Sequence, residues 1–295
     1  MARPSRIELP GTAYWVSSHG AQGVVTFADD VDRAALLSVL AQVMQRFDAQ
    51  VLAYCLLNAH FELLLFTRQA NLSRLMRQLN GLYSQHHHRR HGGGSELFHG
   101  RFKAALVDRE ALLLEACRHV ELAPVRSGLV ATVQGLDRWA WSSYPAHLGL
   151  VAAPPWLEVA GLHAHLLGRA ATTASDQRQA AARYGKLMAQ SVSTDLLSAH
   201  QRQQIFIGDA AFAERMQALA ARAAKPSRGG GKTWPQWRRD SSSREQAVYR
   251  AHVEGGLAMS SLAASLGLSV SRISRLIAVY ELGLASAVKA VRPHA

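Results

Sequence analysis

The sequence predicts a mixed α+β fold in which an antiparallel sheet carrying helices is followed by a small all-helical unit. Two observations predict it. Between Thr12 and Val107, segments with a two-residue apolar period and segments with a helical period follow one another in the order β-α-β-β-α-β. Near the C-terminus, two short helical patterns flank Gly267 at the spacing of two helices that cross.

The first strand is Thr12 to Ser18, where aromatic and β-branched residues are interleaved with small polar ones. Asp29 and Asp30 precede a helix over Val31 to Phe47, whose Leu36, Leu37, Leu40, Val43, Met44 and Phe47 recur at helical spacing. Val51 to Leu57 and His60 to Phe66 read as two strands joined by a tight turn at Asn58-Ala59. A second helix, Leu72 to His87, is expected to be capped by Asn71 and ended by Gly92, Gly93 and Gly94. Phe102 to Val107 completes the order as a strand, which is that of a ferredoxin-like split βαβ unit. Arg109 to Leu122 adds a helix that stops where Pro124 restricts the residue before it. Residues 1–156 are taken as this domain. The Ala-rich residues 157–224 are read as a helical packing or spacing region, and 225–243, rich in Gly, Ser and Arg, as a basic linker with too little apolar surface to fold alone.

Residues 244–295 form the predicted helix-turn-helix domain. Glu245 to Val253 is its first helix; in Leu262 to Ile277, Ala263 is small where helices cross, Gly267 permits a turn needing positive φ, and Ile273 and Ile277 bury the last helix. Ser269 can cap that helix, which leaves Ser271, Arg272 and Arg275 facing outward near its start, the position from which a recognition helix meets duplex DNA.

Composition narrows the function. The 33 Lys and Arg outnumber the 21 Asp and Glu to give a formal charge of +12, and most of the cations are arginines, which fork onto phosphates. A polyanionic partner follows. Cys55 and Cys117 have neither metal-ligand spacing nor a disulfide framework, and no long apolar run reads as a signal peptide or membrane span; the expectation is a cytoplasmic protein with reduced thiols and no membrane partner.

The stretches Arg3–Glu8, Asp29-Asp30, Ala53–Leu56, Ala70–Arg74, Arg77–Gly81, Leu97–Lys103, Pro124–Val130 and Trp141–Tyr144 occur in an order that resembles the REP-associated tyrosine transposases, the single-tyrosine HUH group. The resemblance implies a palm-like sheet that binds single-stranded or hairpin DNA and cuts it through a phosphotyrosine. It also implies a divalent cation, magnesium or manganese, held by two histidines on one strand face, and a monomer or homodimer. Residues i and i+2 of a strand share a face, which is why such a pair can grip one ion.

The chain departs from that pattern at each catalytic position. The metal strand reads His60-Phe61-Glu62, so glutamate replaces the second histidine; a carboxylate still suits a hard cation. His119 stands where the resemblance implies the nucleophilic tyrosine, and Ala123 where it implies a further polar ligand. Tyr83 and Tyr144 are the alternative phenols, with Tyr83 the candidate substitute nucleophile. A hydrolytic centre of His60, Glu62 and His119 is a further arrangement of the same residues. The run His86 to His91 places His87 and His91 one helical turn apart, but it reads first as the basic end of a helix. Together with Arg74, Arg77, Arg89, Arg90, Arg101 and Lys103 it would face phosphates. Two functions remain: a DNA-binding protein impaired in strand cleavage, or an active transposase or metal-dependent single-strand nickase with a rearranged site.

Overall fold

The computed structural model describes residues 6–22, 24–93, 96–190, 197–224, 232–253, 255, 257, 259–277 and 279–280. Arg3 to Ser5, Gly94 and the Gly229–Gly231 part of the predicted linker lie outside them. The chain divides into two compact units, residues 1–220 and 221–295.

The first unit is built on β1 (Thr12–His19), α1 (Asp30–Phe47), β2 (Ala49–Leu56), β3 (His60–Thr67), α2 (Leu72–His91), β4 (Lys103–Val107) and α3 (Arg109–Glu121). With two short strands from later in the chain, β5 (Gln201–Arg202) and β6 (Phe206–Ile207), these strands make a six-stranded, mostly antiparallel sheet of order β2-β3-β1-β4-β6-β5, with β1 antiparallel to both β3 and β4. The alternation along β3 separates two cores. Phe61, Leu63 and Leu65 join Leu36, Leu40, Leu75, Leu79 and Tyr83 of α1 and α2. On the other face Leu64 packs with Leu113, Ala116 and Val120 of α3. Glu62 shares parity with Leu64 and so stands on the α3 face.

Helix starts follow the acidic signals in part. Asp29 accepts hydrogen bonds from the backbone N–H groups of Val31 and Asp32, and Asp108 does the same for Glu110 and Ala111. Asn71 does not cap α2: its amide donates to the Phe47 carbonyl at 3.0 Å, and the Glu8 carboxylate accepts from Ser73 N–H at 3.0 Å instead. A distant carboxylate has taken the place of the local amide. The helix also runs a full turn past His87 to His91, so the histidine run is helical to its end.

Of the two readings of the Ala-rich region, packing or spacing, its residues take the first. After the short α4 (Ala123–Arg126) and α5 (Tyr144–His147), it supplies α6 (Val159–Leu167), α7 (Ala174–Ala189), β5 (Gln201–Arg202), β6 (Phe206–Ile207) and α8 (Ala210–Ala224). β6 pairs parallel to β4, and Phe206 is fully buried. Burying one such side chain stabilises by roughly 1.5–3 kcal/mol. Tyr184 of α7 reaches the fully buried Glu121 at 2.6 Å, where His147 Nδ1 also approaches at 2.7 Å and the Ser143 hydroxyl donates. A carboxylate without solvent needs such partners, and one of them comes from the region read as packing or spacing.

The second unit holds α9 (Trp234–Arg239), α10 (Arg244–Val253), α11 (Met259–Leu266) and a helix over 270–277. Its core is Trp237, Val248, Ala251, Leu262, Ala263, Ile273 and Ile277. α9 lies inside the predicted linker, which is therefore structured there. The Trp237 indole supplies the apolar area that the surrounding Gly, Ser and Arg composition lacks. Among the described residues, no helix is long and apolar enough to cross a membrane.

Candidate nucleic-acid interface and its buried carboxylate

On the α3 face, one cross-strand row runs Cys55, Glu62, Ser17, Lys103, and the next pair in register is His60 with His19. Sequence register therefore places His60, Glu62 and Lys103 together. The His19 and His60 rings stack with centroids 4.5 Å apart and planes 4° apart. Burial holds the His19 pKa below its usual value, and the neighbouring His60 and Lys103 charges push it the same way against a smaller pull from Glu62.

Glu62 is 6% exposed and fully engaged. Its Oε2 accepts from Trp15 Nε1 at 3.1 Å, and Arg126 Nη2 donates to Oε1 at 3.0 Å and reaches Oε2 at 3.3 Å. His60 Nε2 lies 3.8 Å from Oε1 and His119 Nε2 3.6 Å from Oε2. Burial alone would raise the Glu62 pKa; the adjoining His60 imidazole, the charges of Arg126 and His119 and the hydrogen bond from Trp15 overcome it, and the net shift is downward. Glu62 is an ionised carboxylate whose counter-charge is supplied by the chain.

His60, Glu62 and His119 do converge, as the hydrolytic arrangement would require. Magnesium or manganese nevertheless does not fit here. The Arg126 guanidinium lies against both carboxylate oxygens, and Ala123 offers no ligand atom. Among the described residues, the histidine and acid donors that gather within 4.8 Å of one another belong to Asp32, His87 and His91, not to this set. Arg126 also donates to the His119 carbonyl. Sequence reasoning passed over Arg126, Trp15 and His19. The available signal was spacing, since Arg126 follows His119 by seven residues, close to two helical turns.

Tyr83 is not at this site. It belongs to the core on the opposite face of the sheet, fully buried, with its hydroxyl donating to the Thr26 carbonyl at 2.6 Å. Burial raises its pKa far beyond the usual phenol range. Tyr144 is buried against Tyr184, and burial, helped by the Glu121 charge, pushes its pKa up to about 12. Neither is an exposed, easily ionised nucleophile.

The predicted phosphate-facing cations divide. Arg77, Arg89, Arg101 and Lys103 are exposed, whereas Arg74 is half-buried with its guanidinium 6.0 Å from the Phe47 ring centre. Arg90 is occupied structurally: it donates to Asp29 at 2.7 and 2.5 Å and to Asp32 at 2.7 Å. Trp139, Trp141 and Trp156 are half-buried against the two cores.

In the second unit, Gly267 adopts φ +62° between α11 and the helix over 270–277. Ser269 starts that helix, its hydroxyl accepting from Arg272 N–H at 3.2 Å. Ile273 and Ile277 are 0% and 4% exposed, while Ser271, Arg272 and Arg275 are all exposed. One side is core and the other presents two guanidinium groups within the first two turns of the helix.

No family model matches the chain, and no curated protein matches it. Among solved structures, one described as a REP-associated tyrosine transposase bound to a REP hairpin is similar over 54% of this chain and 93% of that one, with 13% identity and a TM-score of 0.44. At that level of likeness only the chain's own residues carry a functional reading.

Proposed function

We propose that this chain is a DNA-binding protein that contacts duplex DNA through the helix over 270–277 and single-stranded or hairpin DNA through the sheet unit, without the usual strand cleavage. The observation that carries the proposal is the division of the 270–277 helix, with Ile273 and Ile277 inward and Ser271, Arg272 and Arg275 outward. A helix held by its apolar stripe can enter a major groove and direct those side chains to phosphates and base edges. The exposed Arg77, Arg89, Arg101 and Lys103 on the sheet unit, and the +12 formal charge, support a second polyanion surface. The proposed loss of cleavage rests on His119, which cannot form a phosphotyrosine, and on Arg126, which neutralises Glu62 from within.

A salt titration of duplex binding by fluorescence anisotropy tests the proposal. With on the order of three phosphate contacts, counterion release lowers affinity roughly 40-fold between about 50 and 200 mM salt. Affinity that stays flat over that range contradicts it.

A further inference from the structure

The α2 helix carries a second cluster, remote from Glu62 on the other side of the sheet, that the DNA-binding reading does not use. His87 and His91 lie one turn apart in the last turns of α2, facing Asp32 in the first turn of α1. One donor atom from each of the three lies within 4.8 Å of the others. Asp32 is 0% exposed and His87 7%. His91 Nε2 sits 2.9 Å from each Asp32 oxygen. His87 Nε2 is 3.0 Å from the Val25 carbonyl, and its Nδ1 is buried with no hydrogen-bond partner.

That nitrogen is the informative atom. A buried imidazole with one nitrogen on a backbone carbonyl and the other unpartnered has the tautomer and orientation of a metal ligand, whose N–H is fixed by an outer carbonyl and whose lone pair is left for the ion. We propose that Asp32, His87 and His91 form a site for one divalent transition-metal ion of the zinc type, which ties the start of α1 to the end of α2. Two imidazoles and one carboxylate select such an ion over magnesium or calcium, which prefer all-oxygen shells. Water can supply the fourth ligand. The His91 nitrogen and the Asp32 oxygens that face each other would turn to the ion, and because protons compete for imidazole lone pairs, binding weakens as pH falls. Burial lowers the His87 pKa, which favours the neutral ligand form.

Arg90 is the competing cation, and its anchorage differs from that of Arg126. Its guanidinium already holds Asp29 through both of its terminal nitrogens, so it keeps that pair when an Asp32 oxygen turns to a metal. Asp29, its pKa lowered first by the hydrogen bonds from Arg90, stays ionised and offsets the added positive charge.

The test uses the full chain, stripped with a chelator and titrated with zinc chloride alone, with cobalt chloride as a spectroscopic substitute. One equivalent binds, the melting temperature rises, and cobalt gives the visible absorption of a tetrahedral site. His87→Ala and His91→Ala each weaken binding at least tenfold, while His88→Ala, in the same run and half-buried, leaves it unchanged. Circular dichroism of the metal-free variants shows whether each has folded. His91→Asn is the substitute where His91→Ala has not, and the cobalt spectrum of the unaltered chain stands whatever the variants do. Equal weakening by His88→Ala means that the histidine run chelates adventitiously, and overturns the proposal. So do binding undiminished in His87→Ala and an octahedral cobalt spectrum.

Discussion

Replacing Arg126 with alanine is expected to destabilise the first unit by about 3–5 kcal/mol, the cost of leaving a buried charge without its partner. Glu62 is 6% exposed, and Arg126 reaches both of its oxygens. Trp15, His60 and His119 remain in the variant, which places the loss toward the lower end of that range. In a unit of this size a loss of about 3 kcal/mol lowers the melting temperature by roughly 6–12 °C. The pH dependence distinguishes lost charge from lost packing. In the unaltered chain the Glu62 pKa is lowered on folding, so its contribution is present above the unfolded carboxylate pKa and is lost as pH falls through the folded one. In the variant, burial dominates and the folded pKa rises, so the penalty exists at neutral pH and disappears on protonation. The stability gap between the two proteins therefore narrows as pH falls through the carboxylate range. Denaturant melts at a series of pH values measure it; a gap independent of pH means that Arg126 acts through packing.

The second large effect lies in the other unit. Changing Arg272 and Arg275 together to alanine is expected to weaken duplex binding by at least about 30-fold, since each such contact is worth roughly 1–3 kcal/mol. Both side chains are exposed and outside the Trp237, Leu262 and Ile273 core, so stability should change by less than about 0.5 kcal/mol per site. The salt dependence should become shallower at the same time, because two fewer counterions are released. Arg222→Ala, which removes an exposed charge from α8, controls for net charge. An equal loss in that control indicates binding by bulk electrostatics, and no loss in the double variant removes the 270–277 helix from the interface.

What could be read from the sequence was what depends on local period. The strands of the first unit announce themselves by alternation, and β3 falls within one residue of its expected range because Phe61, Leu63 and Leu65 face one core while Glu62 and Leu64 face the other. The outward set Ser271, Arg272 and Arg275 was equally legible, since Ile273 and Ile277 fix the inward side. What escaped depends on distant pairing. The Tyr184–Glu121 bond spans 63 residues and the Arg126–Glu62 pair 64, and no window of helical or strand period contains either. The same holds for β6, two residues long and recognisable only by its pairing with β4. Tyr83 looked like a substitute nucleophile because sequence gives the residue but not the side of the sheet. His60 and Glu62 were placed correctly on one face, yet their chemistry was set by Arg126, whose importance no local pattern declared.

The most direct test of the central claim is to incubate the purified chain with labelled hairpin DNA and manganese, and to resolve the same reaction on native and denaturing gels. The expected result is a retarded band on the native gel with the strand intact after denaturation. A strand covalently linked to protein, or cut without a shift in its mobility from an adduct, contradicts it.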